Sequence, residues 1–172
     1  MDITLRELEP EDLDFLYRME NDESLWLFGT CNHPTSRYAL RQYLAGQPSD
    51  IFSSGQMRLM VVINEGEKEE PVGLVDLTSH SPTDCRAEVG IAILAKHRGK
   101  GYGLQTLIKL EEFATSQLRI HLLYAYVSVK HNPVSRKLFE RAGYNVSAIV
   151  PDWHFCNGTY EDAVLYTKVF KD

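Results

Sequence analysis

The sequence predicts an α/β fold: a mixed sheet with an antiparallel front half, flanked by helices. Three observations predict it. Met57-Arg58-Leu59-Met60-Val61-Val62-Ile63 and Glu88-Val89-Gly90-Ile91-Ala92-Ile93-Leu94 are short, β-branched, mostly apolar runs of buried-strand length. Leu104, Leu107 and Ile108 then mark one helical face directly after a glycine-rich turn. Asn157-Gly158 is a two-residue hairpin signal ahead of a final strand.

In chain order, strands are expected over 2–7, 57–64, 71–80, 85–94, 121–129, 144–150 and 160–170, and helices over 11–20, 35–46, 101–117 and 133–142. The polar run Asn64-Glu65-Gly66-Glu67-Lys68-Glu69-Glu70 reads as an exposed hairpin loop. Leu122 to Val129 reads as a strand, and Asn132 then supplies a good N-cap with Pro133 at the first helical position. Val134, Leu138 and Ala142 repeat at helical spacing, and Gly143 suits a left-handed C-terminal cap. The final strand is expected to pair with residues near 153–156 through the Asn157-Gly158 turn.

The 172 residues suffice for one well-buried core and are read as a single domain over 1–172. No stretch reaches the roughly 18 to 20 apolar residues of a membrane span, and no basic region with an apolar core opens the chain. Three cysteines, Cys31, Cys85 and Cys156, have neither metal nor disulfide spacing and suggest a reduced, cytoplasmic setting. A net charge of −6 argues against nucleic-acid binding. It is compatible with drawing a cation to an acidic site, and equally with plain solubility.

The run Arg98-Gly99-Lys100-Gly101-Tyr102-Gly103 sits where a strand hands over to a helix. Free backbone N–H groups and the positive end of a helix dipole converge there, and Arg98 and Lys100 add full charges. Glycine allows left-handed turns and close approach of a ligand. The natural guest is a phosphate; an ordinary strand-to-helix turn is the plainer reading. The spacing fits neither the P-loop nor the dinucleotide fingerprint.

What the run does resemble is the pyrophosphate loop of the GNAT acetyltransferases, whose backbone holds acetyl-CoA. The later order of strand, Asn132 and a short helix ending Leu138-Phe139-Glu140-Arg141-Ala142-Gly143-Tyr144 is similar to the segment that follows that loop in the family. Ile3-Thr4-Leu5-Arg6 with Glu9-Pro10-Glu11-Asp12-Leu13 resembles the family's first strand and helix. The end, from Trp153 to Asp162, resembles the polyamine and ribosomal-protein branches, and Cys85-Arg86-Ala87-Glu88 most resembles bacterial spermidine acetyltransferases. The likeness is dense over 86–144 and weak over 24–56.

The resemblance implies a sheet split between the strand ending at Leu94 and the strand starting near His121, with the pantetheine arm of acetyl-CoA in the split. Ile91, Ala92 and Ile93 would meet the arm with backbone groups, Arg98, Gly99, Lys100, Gly101, Tyr102 and Gly103 would hold the pyrophosphate, and Asn132 would cap its helix and bond the arm. Lys137 and Arg136 could reach phosphates or be solvated. Acetyl transfer needs a neutral amine, a polarised thioester and a proton for the departing thiolate. Glu88 is the candidate base, or a strand-edge charge paired with Arg86. The family's usual tyrosine acid is replaced here by Phe139, which donates no proton; Ser135 is the substitute candidate, or a solvent-facing hydroxyl. Tyr144 is read as core packing.

On the acceptor side, Glu23, Trp26, Phe28 and Tyr38, with Glu20 and Asp22, could line a cationic pocket. The acidic pairs of spermidine acetyltransferases are not recognisable at Thr30-Cys31-Asn32-His33. The six histidines lack paired metal spacing; no metal and no Ser–His–Asp triad is expected, and His121 and His154 are read as structural. The expected activity is transfer of acetyl from acetyl-CoA to a primary amine, with a small polyamine-like amine ahead of a peptide N-terminus. A non-catalytic acyl-CoA-binding module is the alternative. No membrane partner is expected, and a homo-oligomer is compatible with the sequence.

Overall fold

The computed structural model describes residues 2–28, 32–47, 50–66 and 68–171. Strand β1 (Asp2–Glu7) leads through a tight 3-10 turn at Pro10–Asp12 into helix α1 (Leu13–Glu20). Phe15, Leu16 and Met19 fall on one face of α1 and are buried. Two short helices the sequence reading omitted, α2 (Glu23–Trp26) and α4 (Ile51–Ser54), flank α3 (Arg37–Ala45). Each is seeded by a side-chain cap: Asp22 accepts from Ser24 N, Ser36 from Ala39 N and Asp50 from Phe52 N. One turn each is too short for a hydrophobic period to reveal.

A meander follows, β2 (Met57–Glu65), β3 (Lys68–Ser81) and β4 (Arg86–Ile93), then α5 (Tyr102–Ser116), β5 (Leu122–Ser128), α6 (Pro133–Arg141), β6 (Asn145–Cys156) and β7 (Thr159–Val169). The expected 64–70 loop is shorter than that: Glu65 pairs with Lys68, and the turn uses Gly66 at φ +67°. Strand β6 runs on past 150 and pairs His154 with Glu161 and Cys156 with Thr159, so the Asn157-Gly158 hairpin continues one long strand.

The sheet order is β1-β2-β3-β4-β5-β7-β6. Every pair is antiparallel except β4 and β5. That pair holds only at Arg86↔Leu122, Ala87↔Leu123 and Glu88↔Tyr124. Beyond Glu88, β4 stays laddered to β3 as far as Gly73↔Ile93, while β5 stays laddered to β7 as far as Ser128↔Ala163. The two strands therefore part, and their inner backbone edges face a gap. Close approach behind β4 matters here: a Cβ at Gly73 would lie 2.4 Å from the Ala92 carbonyl oxygen.

Period-two alternation gives the sheet two faces. Val61, Val75, Ala87, Val89, Leu123 and Ala125 belong to the core formed with Leu107, Leu110 and Ala114 of α5 and Phe139 of α6. Met60, Val62 and Leu74 pack against α1 and Leu40 of α3. No helix among the described residues is long and apolar enough to cross a membrane.

At the chain's start, Asp12 is 5% exposed and accepts from Arg6 Nη1 at 2.8 Å, Arg6 Nη2 at 3.0 Å and Glu9 N at 2.8 Å. Burial pushes this carboxyl up, but the bonds from Arg6 and Glu9 outweigh it and hold it below the ordinary range. Its contribution is complete above the unfolded value, about 3.9, and is lost as pH falls through the lower folded value. Asp12→Ala should cost about 1–3 kcal/mol in urea denaturation at pH 7, and the deficit should shrink in strong acid.

Candidate active site

The gap between β4 and β5 opens into a cavity of about 1160 Å³, larger than a small amine alone requires. Val89, Gly90, Ile91, Ala92 and Ile93 form one wall, and Tyr126, His131, Asn132 and Ser135 form the other. Arg98, Gly99, Gly101, Tyr102 and Gly103 close the end nearest the start of α5. Lys100 is exposed and is not among the lining residues.

The loop geometry follows from its glycines. Gly99 has φ +75° and Gly101 φ +85°, both in the left-handed region. Gly101 is the N-cap of the 15-residue α5, so the first free amides of that helix begin beside it. Arg98 is held back against the strand, its Nε donating to the Ile93 carbonyl at 2.8 Å. Across the gap, Asn132 Oδ1 accepts from Ser135 N at 3.1 Å and caps α6. Gly143 has φ +84° at the other end of α6, where Tyr144 N donates to Phe139 O. Two helix N-termini thus flank one opening.

Phe139 lies outside the cavity lining. It is 3% exposed, edge-on to Tyr144 with centroids 5.0 Å apart and stacked on Tyr166 at 6.0 Å. Tyr144 is buried beside it. Pro133, Val134, Ser135, Lys137 and Leu138 are the residues of α6 that line the opening, with Arg141 near its end.

On the α1 side of the sheet the lining becomes acidic. Arg58 on β2 donates to Asp76 on β3 at 2.6 Å and to Glu20 at the end of α1 at 2.9 Å, with its guanidinium carbon 5.7 Å from the Tyr43 ring centroid. Glu88, on the same face as Asp76 by strand register, also borders the cavity, and burial pushes its carboxyl up. Arg86 pairs instead with Asp84. Trp26 borders the cavity, its Nε1 donating to Glu20 O at 2.8 Å, and Phe28 lies nearby in the lining. Glu23 and Tyr38 are exposed and not among the lining residues; the Tyr38 hydroxyl accepts from Gln42. Thr30 and Cys31 lie outside the described residues.

The sequence reading missed Arg58, Asp76 and Tyr43. It also missed a network beside Asn132: Ser128 Oγ donates to Glu161 Oε1 at 2.7 Å, and His131 Nδ1 meets Glu161 Oε2 at 2.8 Å. His131, Cys156 and Glu161 bring donor atoms within 4.8 Å of one another, though both Glu161 oxygens are already engaged by Ser128 and His131.

Against known proteins, the description of an acetyltransferase (GNAT) domain matches residues 2–145. The chain belongs to the GNAT acetyltransferases. Acetyl-CoA is accordingly its co-substrate, and the reaction is acetyl transfer to an amine. Spermidine N(1)-acetyltransferase of Vibrio cholerae is 26% identical over 160 residues, 93% of this chain and 88% of that protein. Ribosomal-protein-serine acetyltransferase of Escherichia coli is 24% identical over 159 residues, covering 90% and 85%. The crystal structure of the Vibrio cholerae spermidine enzyme with CoA and spermine superposes with a TM-score of 0.84 at 25% identity, covering 98% of this chain and 95% of that one. The same enzyme has also been described as a dodecamer. The split sheet expected of a GNAT protein is the gap already described.

A side chain at Gly101 would be held at a left-handed φ. Gly101→Val should therefore abolish calorimetric CoA binding while thermal unfolding stays cooperative. Gly103→Val, whose Cβ would sit 3.2 Å from Leu138 Cδ2, should weaken it as well. Full CoA affinity in both variants would remove the phosphate role from this loop.

Proposed function

We propose that residues 1–172 form a single cytoplasmic domain that acetylates a primary amine of a small polyamine-like cation. The observation that carries this reading is the charge of the acceptor wall. Glu20, Asp76 and Glu88 line it against Arg58, and Arg58 is already spent on two of the three. Trp26 and Tyr43 add aromatic surface suited to an ammonium group. Spermidine acetyltransferases among the relatives support the same acceptor class.

In this reading the amides of 99–103 and Arg98 hold the pyrophosphate, while the backbone of Ile91, Ala92 and Ile93 lies along the pantetheine arm. Asn132 keeps its helix cap through Oδ1 and offers Nδ2 to the arm. An amide of β4 polarises the thioester carbonyl. Glu88 removes the ammonium proton, directly or through water, and a carboxyl raised by burial is better matched to that task than an exposed one. Ser135, on the α6 wall, would offer its hydroxyl to the departing sulfur. Phe28 lines the cavity beside Trp26, while Glu23 and Tyr38, exposed outside the lining, would act at the mouth rather than at the reacting nitrogen. A second copy of the chain has an apolar surface available at Val146, Ile149 and Phe155 of the edge strand β6.

Free-CoA release should be greatest with spermidine, spermine or short diamines, and small with N-terminal peptides or aminoglycosides. Turnover confined to peptides would transfer the protein to the ribosomal-protein type; CoA binding with no turnover would make it a binding module. Glu88→Gln should lower kcat about a hundredfold at neutral pH. Because a base works only when deprotonated, kcat/KM of the parent chain should fall as pH drops through the raised Glu88 value. That acid limb should vanish in Glu88→Gln.

A further inference from the structure

Beyond the last β5 pair, the chain turns so that His131 N donates to Ser128 Oγ at 2.8 Å. This turn sets the imidazole against Glu161 of β7, whose side chain is 2% exposed, while the His131 side chain keeps 34% exposure and borders the cavity. Burial pushes the Glu161 carboxyl up, but the bonds from Ser128 and His131 outweigh it and keep the group ionised at neutral pH. An ionised carboxylate only accepts hydrogen bonds, so Nδ1 of His131 carries the proton between them. In a neutral ring that leaves Nε2 as an acceptor, and no described residue partners it. A buried anion holding one imidazole nitrogen of a part-exposed residue that lines the cavity is an arrangement for moving protons, since the anion fixes the tautomer and steadies the imidazolium once formed.

The other candidates for this task are less suited. Ser135 offers a hydroxyl alone. His97 has Nε2 engaged by Glu70 and lies at the phosphate end. His154 lines the cavity with its Nε2 buried, but among the described residues no carboxylate is bonded to its ring.

We propose that His131, oriented by Glu161 and Ser128, relays a proton from the attacking nitrogen to the leaving sulfur during acetyl transfer. The inference rests on the acetyl-transfer reading above. After Glu88 has taken the first proton, the neutral amine forms a C–N bond to the thioester carbon. The protonated nitrogen of the tetrahedral intermediate gives its proton to His131 Nε2. As the C–S bond breaks, its electron pair goes to sulfur and the same proton follows, yielding the amide and CoA thiol with His131 neutral again. Glu161 and Ser128 are positioning residues; His131 is the catalytic one.

The test measures kcat with spermidine, acetyl-CoA affinity by calorimetry, and rescue by free imidazole. His131→Ala should lower kcat about a hundredfold with CoA affinity changed less than about twofold, and millimolar imidazole should restore turnover in a concentration-dependent way. Glu161→Gln should lower kcat about tenfold or more, because its amide no longer enforces the tautomer. If His131→Ala loses CoA affinity through misfolding, His131→Gln decides by the same comparison. Full kcat in His131→Gln, or a deficit in a CoA-binding His131→Ala that imidazole does not relieve, overturns the relay alone. A parent chain that binds CoA but acetylates no amine overturns the acetyl-transfer reading and the relay together.

Discussion

The parting of β4 and β5 after Glu88 and Tyr124 is the constraint from which the site follows. Two parallel neighbours must be joined by a crossover, here the loop and α5, so their carboxyl ends lie at the same edge of the sheet. The helix that follows each strand therefore begins at that edge, and α5 and α6 both aim their N-termini at the widening gap. Outer ladders fix each strand's direction: β3 holds β4 and β7 holds β5 to the end. The backbone edges left facing each other are the only long stretch of interior ladder the sheet forgoes among the described residues, and it coincides with the cavity.

The two sides of the sheet present opposite charges by different means. Toward α5 and α6, helix dipoles and turn amides gather for an anion, which asks little of side-chain identity beyond glycine. Toward α1 and β2, carboxylates from α1, β3 and β4 line the opening beside Arg58. The two meet where the sheet has come apart.

That division explains what the sequence could reveal. The glycine turn and the two helix starts were legible because their determinants are contiguous: Gly99, Gly101 and Gly103 before a helical face, Asn132 and Pro133 before another. The opposite wall was legible only in part: Glu20, Trp26, Phe28 and Glu88 were named from the sequence and line the cavity, whereas Arg58, Asp76 and Tyr43 were not. Arg58 and Asp76 each stand alone within apolar strand runs, and only the register Arg58↔Asp76 makes them a pair. Glu20 enters because α1 ends there; Glu23, three residues on, sits on a separate turn and faces out. Ser128, His131 and Glu161 are joined across 30 to 33 residues by the β5–β7 pairing. The lone polar residues inside strand runs were the available signal, and they carry information only once the partner strand is known.

Arg58 also shapes how such a protein can change. By gripping Glu20 and Asp76 it fastens α1 to the sheet and at the same time sets how much negative charge remains for a guest. Its removal would leave two half-buried carboxylates uncompensated, loosening the fold while making the pocket more attractive to cations. Natural variation in acceptor preference that passes through this position is thus tied to foldedness, and a lineage could explore it only after acquiring spare stability elsewhere.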